Sequence, residues 1–329
     1  MIQENDFQKL YTKLQTKVES VLNISLKGRL PVSLYEPAEY ILNSPGKRLR
    51  PFLVLISAKA VGGDYSKAYN AAAAVEVLHN FTLVHDDIMD NADKRRGRLT
   101  VHKKYDLSTA ILVGDILASV AYELLLKDAK TNINRIVSTF NRGVAEVCEG
   151  QGLDKEFETA SIVTMDQYLE MITKKTAALA EMCCSVGAQI GGGTEAEIKA
   201  LSKYGKYLGI AFQIQDDLLD IIADEKDFGK KIGGDLVEGK KTFLFIKALE
   251  KAKGKYKKDL MRVIKNKGIE PAEVNYYKNI YIELGILNDA VSEIKRYTQL
   301  ALKGINQLKN EEYRRVFITL ANLLIKRSK

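Results

Sequence analysis

Proline is scarce and crowded toward one end of the chain. Pro31, Pro37, Pro45 and Pro51 fall in the first 51 residues, and only Pro271 follows. An interior proline removes a helix hydrogen bond and clashes with the preceding turn, so the long stretch without one leaves room for uninterrupted helices. Cysteine is equally rare. Cys148, Cys183 and Cys184 are odd in number and lack metal-ligand spacing, which argues against a disulfide framework or a cysteine-built zinc site. Cys183 and Cys184 are adjacent in an apolar segment and read as small buried residues, and a reducing cytoplasm is the simplest compartment. No apolar run reaches the roughly 18 residues a membrane span needs. Met1-Ile2-Gln3-Glu4-Asn5-Asp6 offers neither the basic nor the apolar region of a signal peptide. The formal charge is +8, yet no basic stripe interleaved with aromatics is visible. The lysine surplus after residue 250 therefore reads as solvated surface, not a nucleic-acid face.

Apolar spacing is helical nearly throughout. The pattern predicts helices over residues 5–27, 37–43, 50–61, 64–90, 109–127, 133–150, 164–190 and 195–223, with Asp64 as an N-cap. Residues 91–105 and 224–240 read as loops, and four or five further helices have breaks near Gly254, Gly268 and Gly285. Strand-period alternation and low-complexity linkers are missing. The expectation is one all-α domain over residues 1–329, a large helical bundle around a central cavity.

Two acidic clusters of the same form stand out. Asp86, Asp87 and Asp90 end one long apolar run, and Asp216, Asp217 and Asp220 end another. On a helix, residues i and i+4 share a face, so Asp86 with Asp90, and Asp216 with Asp220, each form a two-carboxylate claw. One such cluster is ordinarily a solvated acidic face. Two copies beside apolar surface ask for compensating positive charge, and a hard cation that keeps several waters and takes substrate phosphate through one or two carboxylates is Mg²⁺.

Four basic stations accompany the claws. Arg95 and Arg96 lie a few residues past the first, and guanidinium suits phosphate through bidentate donation. Lys47 and Arg50 open a helix between two prolines, a plausible anion site. Lys174-Lys175-Thr176 interrupts an otherwise apolar helix. A Gly/Lys-rich stretch after the second claw contains Gly229-Lys230 and Glu238-Gly239-Lys240-Lys241-Thr242. It is no Walker A loop. Singly, each could be a solvated loop or cap. His79 and His85 beside Asp86 faintly suggest an HD-type phosphohydrolase, which would leave the second claw and the arginine loop without a task.

In this order and spacing the pieces resemble the trans-isoprenyl diphosphate synthase family, the short-chain head-to-tail prenyltransferases. The matching residues are Gly46-Lys47-x-x-Arg50, His79, Asp86-Asp87-x-x-Asp90, Arg95-Arg96-Gly97, Gly150-Gln151-x-x-Asp154, Lys175-Thr176, Phe212-Gln213-x-x-Asp216-Asp217-x-x-Asp220, Gly229-Lys230 and Glu238 to Thr242. The resemblance implies the isoprenoid synthase type I fold, a polyprenyl synthetase domain over the whole chain, a homodimer, and three Mg²⁺ per site. Asp86, Asp90 and Asp216 would ligate metal, with Asp87, Asp217 and Asp220 in support. Arg95, Gln151, Asp154, Lys175, Thr176, Gln213, Lys230 and Lys240 would serve the allylic diphosphate. Gly46, Lys47, Arg50, His79 and Arg96 would hold isopentenyl diphosphate. Which lysine of each adjacent pair, 230–231 and 240–241, faces the site stays open.

Product length is read from the helix before the first claw. Phe81, five positions before Asp86, and Thr82, four before it, would form the floor of the tail pocket, with Leu78 and Val75 further back. One aromatic with a small neighbour and no insertion in the claw is similar to the archaeal geranylgeranyl diphosphate synthase pattern, a C20 product. A C15 farnesyl product is the runner-up. A class I terpene cyclase, a squalene- or phytoene-type synthase and a non-catalytic partner subunit are the competing classes. The paired aspartates and the Lys47/Arg50 station argue against them.

Overall fold

The computed structural model describes residues 2–223 and 232–326. Apart from one short hairpin its regular structure is helical, as the apolar spacing predicts. The chain forms two compact units. The first comprises Met1–Asn141, Met182–Leu201 and Gln307–Val316, and the second Arg142–Glu181, Ser202–Asn306 and Phe317–Lys329.

The first unit begins with α1 (Glu4–Ser25), α2 (Val32–Leu42), α3 (Leu49–Ala60), α4 (Tyr69–Met89), the single turn α5 (Val101–Lys104) and α6 (Leu107–Asp128). α1 turns one stripe inward, Phe7, Leu14, Val18 and Leu22, the spacing of an amphipathic surface helix. α4 buries the run Ala71–Ala74 with Val75, Val77 and Leu78 and packs chiefly on α6. Small side chains let the two backbones approach, and this fixes the path of the helix that carries the first acidic cluster. Among the described residues, α6 is the one helix long and apolar enough to cross a membrane. Asp115 and Glu123 interrupt it, so no uncharged run in it reaches the length of a span. Its inward stripe of Val113, Leu117, Val120 and Leu124 is that of a core helix.

Three local differences from the sequence reading have identifiable causes. α2 starts at Val32, so Pro37 lies inside it and not at its first turn. Asp64 does cap, accepting from Ser66 N–H, but what it caps is the 3₁₀ turn Tyr65–Lys67, after which α4 starts afresh. The polar segment after Asp90 is partly ordered. Lys94–Arg95 pairs antiparallel with Arg98–Leu99, and the turn residues Arg96 and Gly97 have φ of 52° and 78°, both positive as a tight hairpin turn requires.

The second unit takes α7 (Ile133–Thr159) from Arg142 onward, α8 (Met165–Ile172), the π turn Thr173–Ala177, the start of α9 (Ala178–Ile190) and most of α10 (Glu195–Ile222). After the undescribed residues come α11 (Gly234–Val237), α12 (Phe243–Lys251), α13 (Gly254–Asn266), α14 (Val274–Glu283), α15 (Ile286–Ile305) and the end of α16 (Glu311–Lys326). α7 runs nine residues past Gly150, where the sequence reading ended it. α8 opens on a capping box, with Thr164 and Gln167 each accepting from the other's N–H. The core gathers Tyr168, Ile214, Leu218, Phe243, Phe245, Leu260, Tyr277 and Tyr281. Each such side chain stabilises the fold by about 1.5–3 kcal/mol on burial.

Candidate active site

In the first unit, α4 delivers its acidic cluster at its C-terminal end. Asp90 N–H donates to Asp86 O at 2.8 Å, so the two residues stand one turn apart on one face. Asp86 is half-buried and Asp90 exposed. Asp87 points elsewhere: its carboxylate is 2% exposed and accepts from Arg95 Nε at 2.7 Å. Burial raises the Asp87 pKa, and the Arg95 charge opposes that rise. The cluster thus spends its middle carboxylate on the hairpin.

The hairpin and the start of α3 bring the remaining residues of this group together. Arg50 Nη1 lies 3.1 Å from His79 Nε2, and Arg96 Nη1 donates to Pro45 O at 2.8 Å, beside Gly46. His79 is held neutral, with its pKa well below the ordinary value, first by burial and then by the charges of Arg50, Arg96, Arg95 and Arg48. Gly46, Lys47, Arg50, His79 and Arg96 therefore form one basic corner. One turn after Thr82, the His85 ring packs edge-on against Phe81 at 4.9 Å. Its Nε2 lies where a Cβ on Gly114 of α6 would sit, 2.0 Å away.

In the second unit, α10 carries Asp216, Asp217 and Asp220. Asp216 is half-buried. Asp217 is buried and bound by three donors: the Tyr168 hydroxyl at 2.6 Å, Phe243 N–H at 3.0 Å and Gln213 Nε2 at 3.0 Å. Burial, with the nearby Asp235 carboxylate, pushes the Asp217 carboxyl up to about 7. Asp220 Oδ2 accepts from Asp235 N–H at 3.2 Å and so fixes the turn at α11. A cavity of about 120 Å³ beside them is lined by Asp154, Lys175, Thr176, Gln213, Asp217 and Lys240, with Asp235, Lys241 and Thr242.

The π turn explains how two adjacent lysines take different tasks. Lys174 reaches outward to Glu149 at 2.7 Å, while Lys175 pairs with Asp154 on the cavity wall. Thr176 donates to Gln213 Oε1 at 2.8 Å. The segment is pressed from both sides. A Cβ on Gly150 of α7 would fall 2.1 Å from Lys175 N, and one on Gly209 of α10 would fall 2.6 Å from Ala177 Cα. A one-residue π insertion accommodates such pressure and is common at functional sites.

Placement can now be stated residue by residue. The first unit gathers the basic corner, Arg95, and Asp86 with Asp90. The second gathers Asp154, Lys175, Thr176, Gln213 and Lys240 around one cavity, with Gln151 buried one turn before Asp154 and Asp216 on α10. Of the adjacent lysines 240 and 241, both line the cavity. Lys230 lies outside the described residues, as do Gly229 and Lys231. Sequence reasoning passed over Asp235, whose signal was its place after Gly233-Gly234. It also passed over Arg48 and Glu76, which only tertiary contact reveals.

The fold and the two acidic clusters with their basic partners define a class of enzyme that handles diphosphates. The polyprenyl synthetase family model matches residues 31–281, and the chain belongs to that family. It is similar to the geranylgeranyl diphosphate synthase of Sulfolobus acidocaldarius, 40% identical over 309 residues and 93% of each chain. Among solved structures it is similar to the geranylgeranyl pyrophosphate synthetase of Pyrococcus horikoshii Ot3, with a TM-score of 0.91 and 38% identity over 98% of this chain and 99% of that one. It is also similar to a polyprenyl synthase of Caulobacter crescentus CB15 complexed with calcium and isoprenyl diphosphate, with a TM-score of 0.89 and 27% identity over 99% and 98%. The isoprenoid synthase fold expected from the motifs is the fold of these neighbours.

Proposed function

We propose that the protein is a head-to-tail trans-prenyltransferase that condenses isopentenyl diphosphate with allylic diphosphates and stops at geranylgeranyl diphosphate (C20). The observation that carries this reading is the division of labour within the acidic clusters. Asp87 and Asp217 are buried and bound by protein donors, whereas Asp86, Asp90 and Asp216 are at least partly exposed, and the metal is assigned to these three. A pair of carboxylates and a single one, all hard oxygen donors, fit Mg²⁺, which keeps waters and shares phosphate oxygens. The family match spans both units, which supports treating residues 1–329 as one polyprenyl synthetase domain.

In this reading Asp86, Asp90 and Asp216 hold three Mg²⁺ per site, supported by Asp87, Asp217 and Asp220. Bound there, the cations supply Lewis-acid stabilisation to a departing diphosphate. Lys175, Lys230, Lys240 and Arg95 add fixed positive charge for the same group, with Gln151, Asp154, Thr176 and Gln213 orienting it. Such preorganised charge favours ionisation of the allylic C–O bond to a carbocation and pyrophosphate. Gly46, Lys47, Arg50, His79 and Arg96 hold isopentenyl diphosphate so that its double bond attacks the cation. Proton loss to the pyrophosphate then restores an alkene. Apolar walls keep water from the cation.

The exposed Leu107, Ile111 and Leu112 on α6 support a homodimer, and the buried thiols of Cys183 and Cys184 suit a cytoplasmic protein. Incubating the purified protein with Mg²⁺, isopentenyl diphosphate and each of dimethylallyl, geranyl and farnesyl diphosphate tests the activity. A hydrocarbon product would identify a cyclase, no turnover a non-catalytic subunit, and a stop at C15 a farnesyl synthase. Replacing Phe81 with alanine is expected to lengthen the main product by at least one isoprene unit, because the largest side chain at the tail-pocket floor is removed. An unchanged chain-length distribution on reverse-phase analysis would contradict the assignment of Phe81 and Thr82 as that floor.

A further inference from the structure

The basic corner of the first unit contains a buried ion pair that no substrate role uses. Arg48 has φ 48° and ψ 35°, in the left-handed region that side chains other than glycine adopt rarely. It is 7% exposed. Its guanidinium donates to Glu76 Oε1 at 2.7 Å, Ser44 O at 2.9 Å and Leu42 O at 3.2 Å. Glu76 is itself 3% exposed and stands on α4 one turn before His79. After burial, its charge is the largest influence on Arg96. The loop between α2 and α3 is held further along as well. The carbonyl oxygens of four successive residues are taken by side chains: Ser44 by Arg48, Pro45 by Arg96 (2.8 Å), Gly46 by Gln15 (3.4 Å) and Lys47 by the Tyr11 hydroxyl. Carbonyl oxygens repel an anion, and here they are engaged by donors. A Cβ on Gly46 would come within 2.9 Å of both Arg48 Nη1 and Arg96 Nη1, so the loop lies directly against these guanidinium groups.

We propose that Glu76 and Arg48 are positioning residues, whose ion pair locks the loop bearing Gly46, Lys47 and Arg50 in register with His79 and Arg96 so that isopentenyl diphosphate is bound. Neither touches the substrate. A buried pair is a costly way to hold a loop, since hydrophobic residues of similar volume are often as stabilising. Its value is direction, because one guanidinium satisfies three acceptors at fixed angles. The inference rests on the reading that this corner takes isopentenyl diphosphate.

Steady-state kinetics with each substrate varied in turn provide the test, beginning with the wild-type protein. If the wild type does not consume isopentenyl diphosphate, that underlying reading fails and this inference with it. Given wild-type turnover, Glu76→Gln and Arg48→Lys are each expected to raise KM for isopentenyl diphosphate about tenfold to a hundredfold, the loss of one or two charge-assisted hydrogen bonds. KM for the allylic diphosphate should stay within about threefold. Loosened folding alone would not split the two substrates in this way. The double variant Arg48→Met/Glu76→Leu removes both buried charges together. Its Tm should recover relative to Glu76→Gln, because no charge is left unpaired, while KM for isopentenyl diphosphate stays high. Unchanged KM in the single variants, or KM recovering in step with Tm in the double variant, would overturn the proposal.

Discussion

Alanine at Asp86, and separately at Asp216, is expected to lower the turnover of isopentenyl diphosphate condensation at least about a thousandfold, roughly 4 kcal/mol of transition-state stabilisation. The size follows from the lack of a reserve. A neighbouring carboxylate can replace a lost ligand only if it is able to move. Asp87 is locked to Arg95 at 2.7 Å, Asp217 is held by Tyr168, Phe243 N–H and Gln213, and Asp220 accepts from Asp235 N–H. Neither cluster can therefore refill its vacancy from within. The two substitutions should leave Tm nearly unchanged, because both side chains are half-exposed. Asp217→Ala should behave oppositely. It leaves a buried hydroxyl and a buried N–H unpaired, at a cost of about 1–3 kcal/mol each, and so should lower Tm as well as activity. Single-turnover assays at saturating Mg²⁺ with parallel melting curves check both. If either Asp86→Ala or Asp216→Ala kept more than about a tenth of wild-type turnover, a deficit under 1.4 kcal/mol, the role assigned to that carboxylate would be wrong.

Gly150→Ala should rank next, with a loss of about a hundredfold in kcat/KM for the allylic substrate. No charge changes and Gly150 touches no proposed substrate atom. The effect comes from the backbone: the new methyl would meet Lys175 N at 2.1 Å and Lys175 Cα at 2.6 Å, and neither atom can rotate away. The π turn must shift, carrying Lys175 off its place on the cavity wall and straining the Thr176–Gln213 hydrogen bond. A displacement of about 1 Å in a positioning group is enough for a hundredfold loss. Lys175→Gln is the companion variant. If displacement of Lys175 is the cause, combining the two should cost little more than Gly150→Ala alone, since residues acting as one unit are not additive. Full additivity, or a Gly150→Ala enzyme with normal kinetics, would mean that the glycine is merely tolerated.

The site was legible in the sequence to the extent that its chemistry is local. Two carboxylates four apart on a helix need no tertiary information to share a face, and Asp86 with Asp90 do so. The Gly46–Arg50 and Lys175–Thr176 segments announced themselves by charge in unlikely surroundings. What escaped depends on contact between segments distant in the chain. Gly150 looked like a helix end because glycine commonly follows one, yet α7 continues to Thr159, and the residue is there because another backbone passes close by. Lys174 and Lys175 could not be told apart by composition; the π turn separates them. The hairpin at Arg95 and Arg96 is too short to show a two-residue period. Glu76 drew no notice within its apolar run, because its partner Arg48 lies 28 residues earlier in the chain.

The wedged imidazole of His85 limits how the enzyme can be retuned. It fills the gap between Phe81 and the α6 backbone at Gly114, and the next residue along the chain is Asp86. Any side chain added at position 114 must drive that ring aside and jolt the acidic claw as it does so. Under the floor and metal roles proposed above, a change at position 114 would therefore alter tail length and turnover together. On α4, Phe81 is itself one wall of that seat, while Leu78 and Val75 lie two turns or more before the imidazole and can be resized without removing either wall. Natural or laboratory variants with altered tail length but full speed should therefore carry their changes in that deeper part of α4.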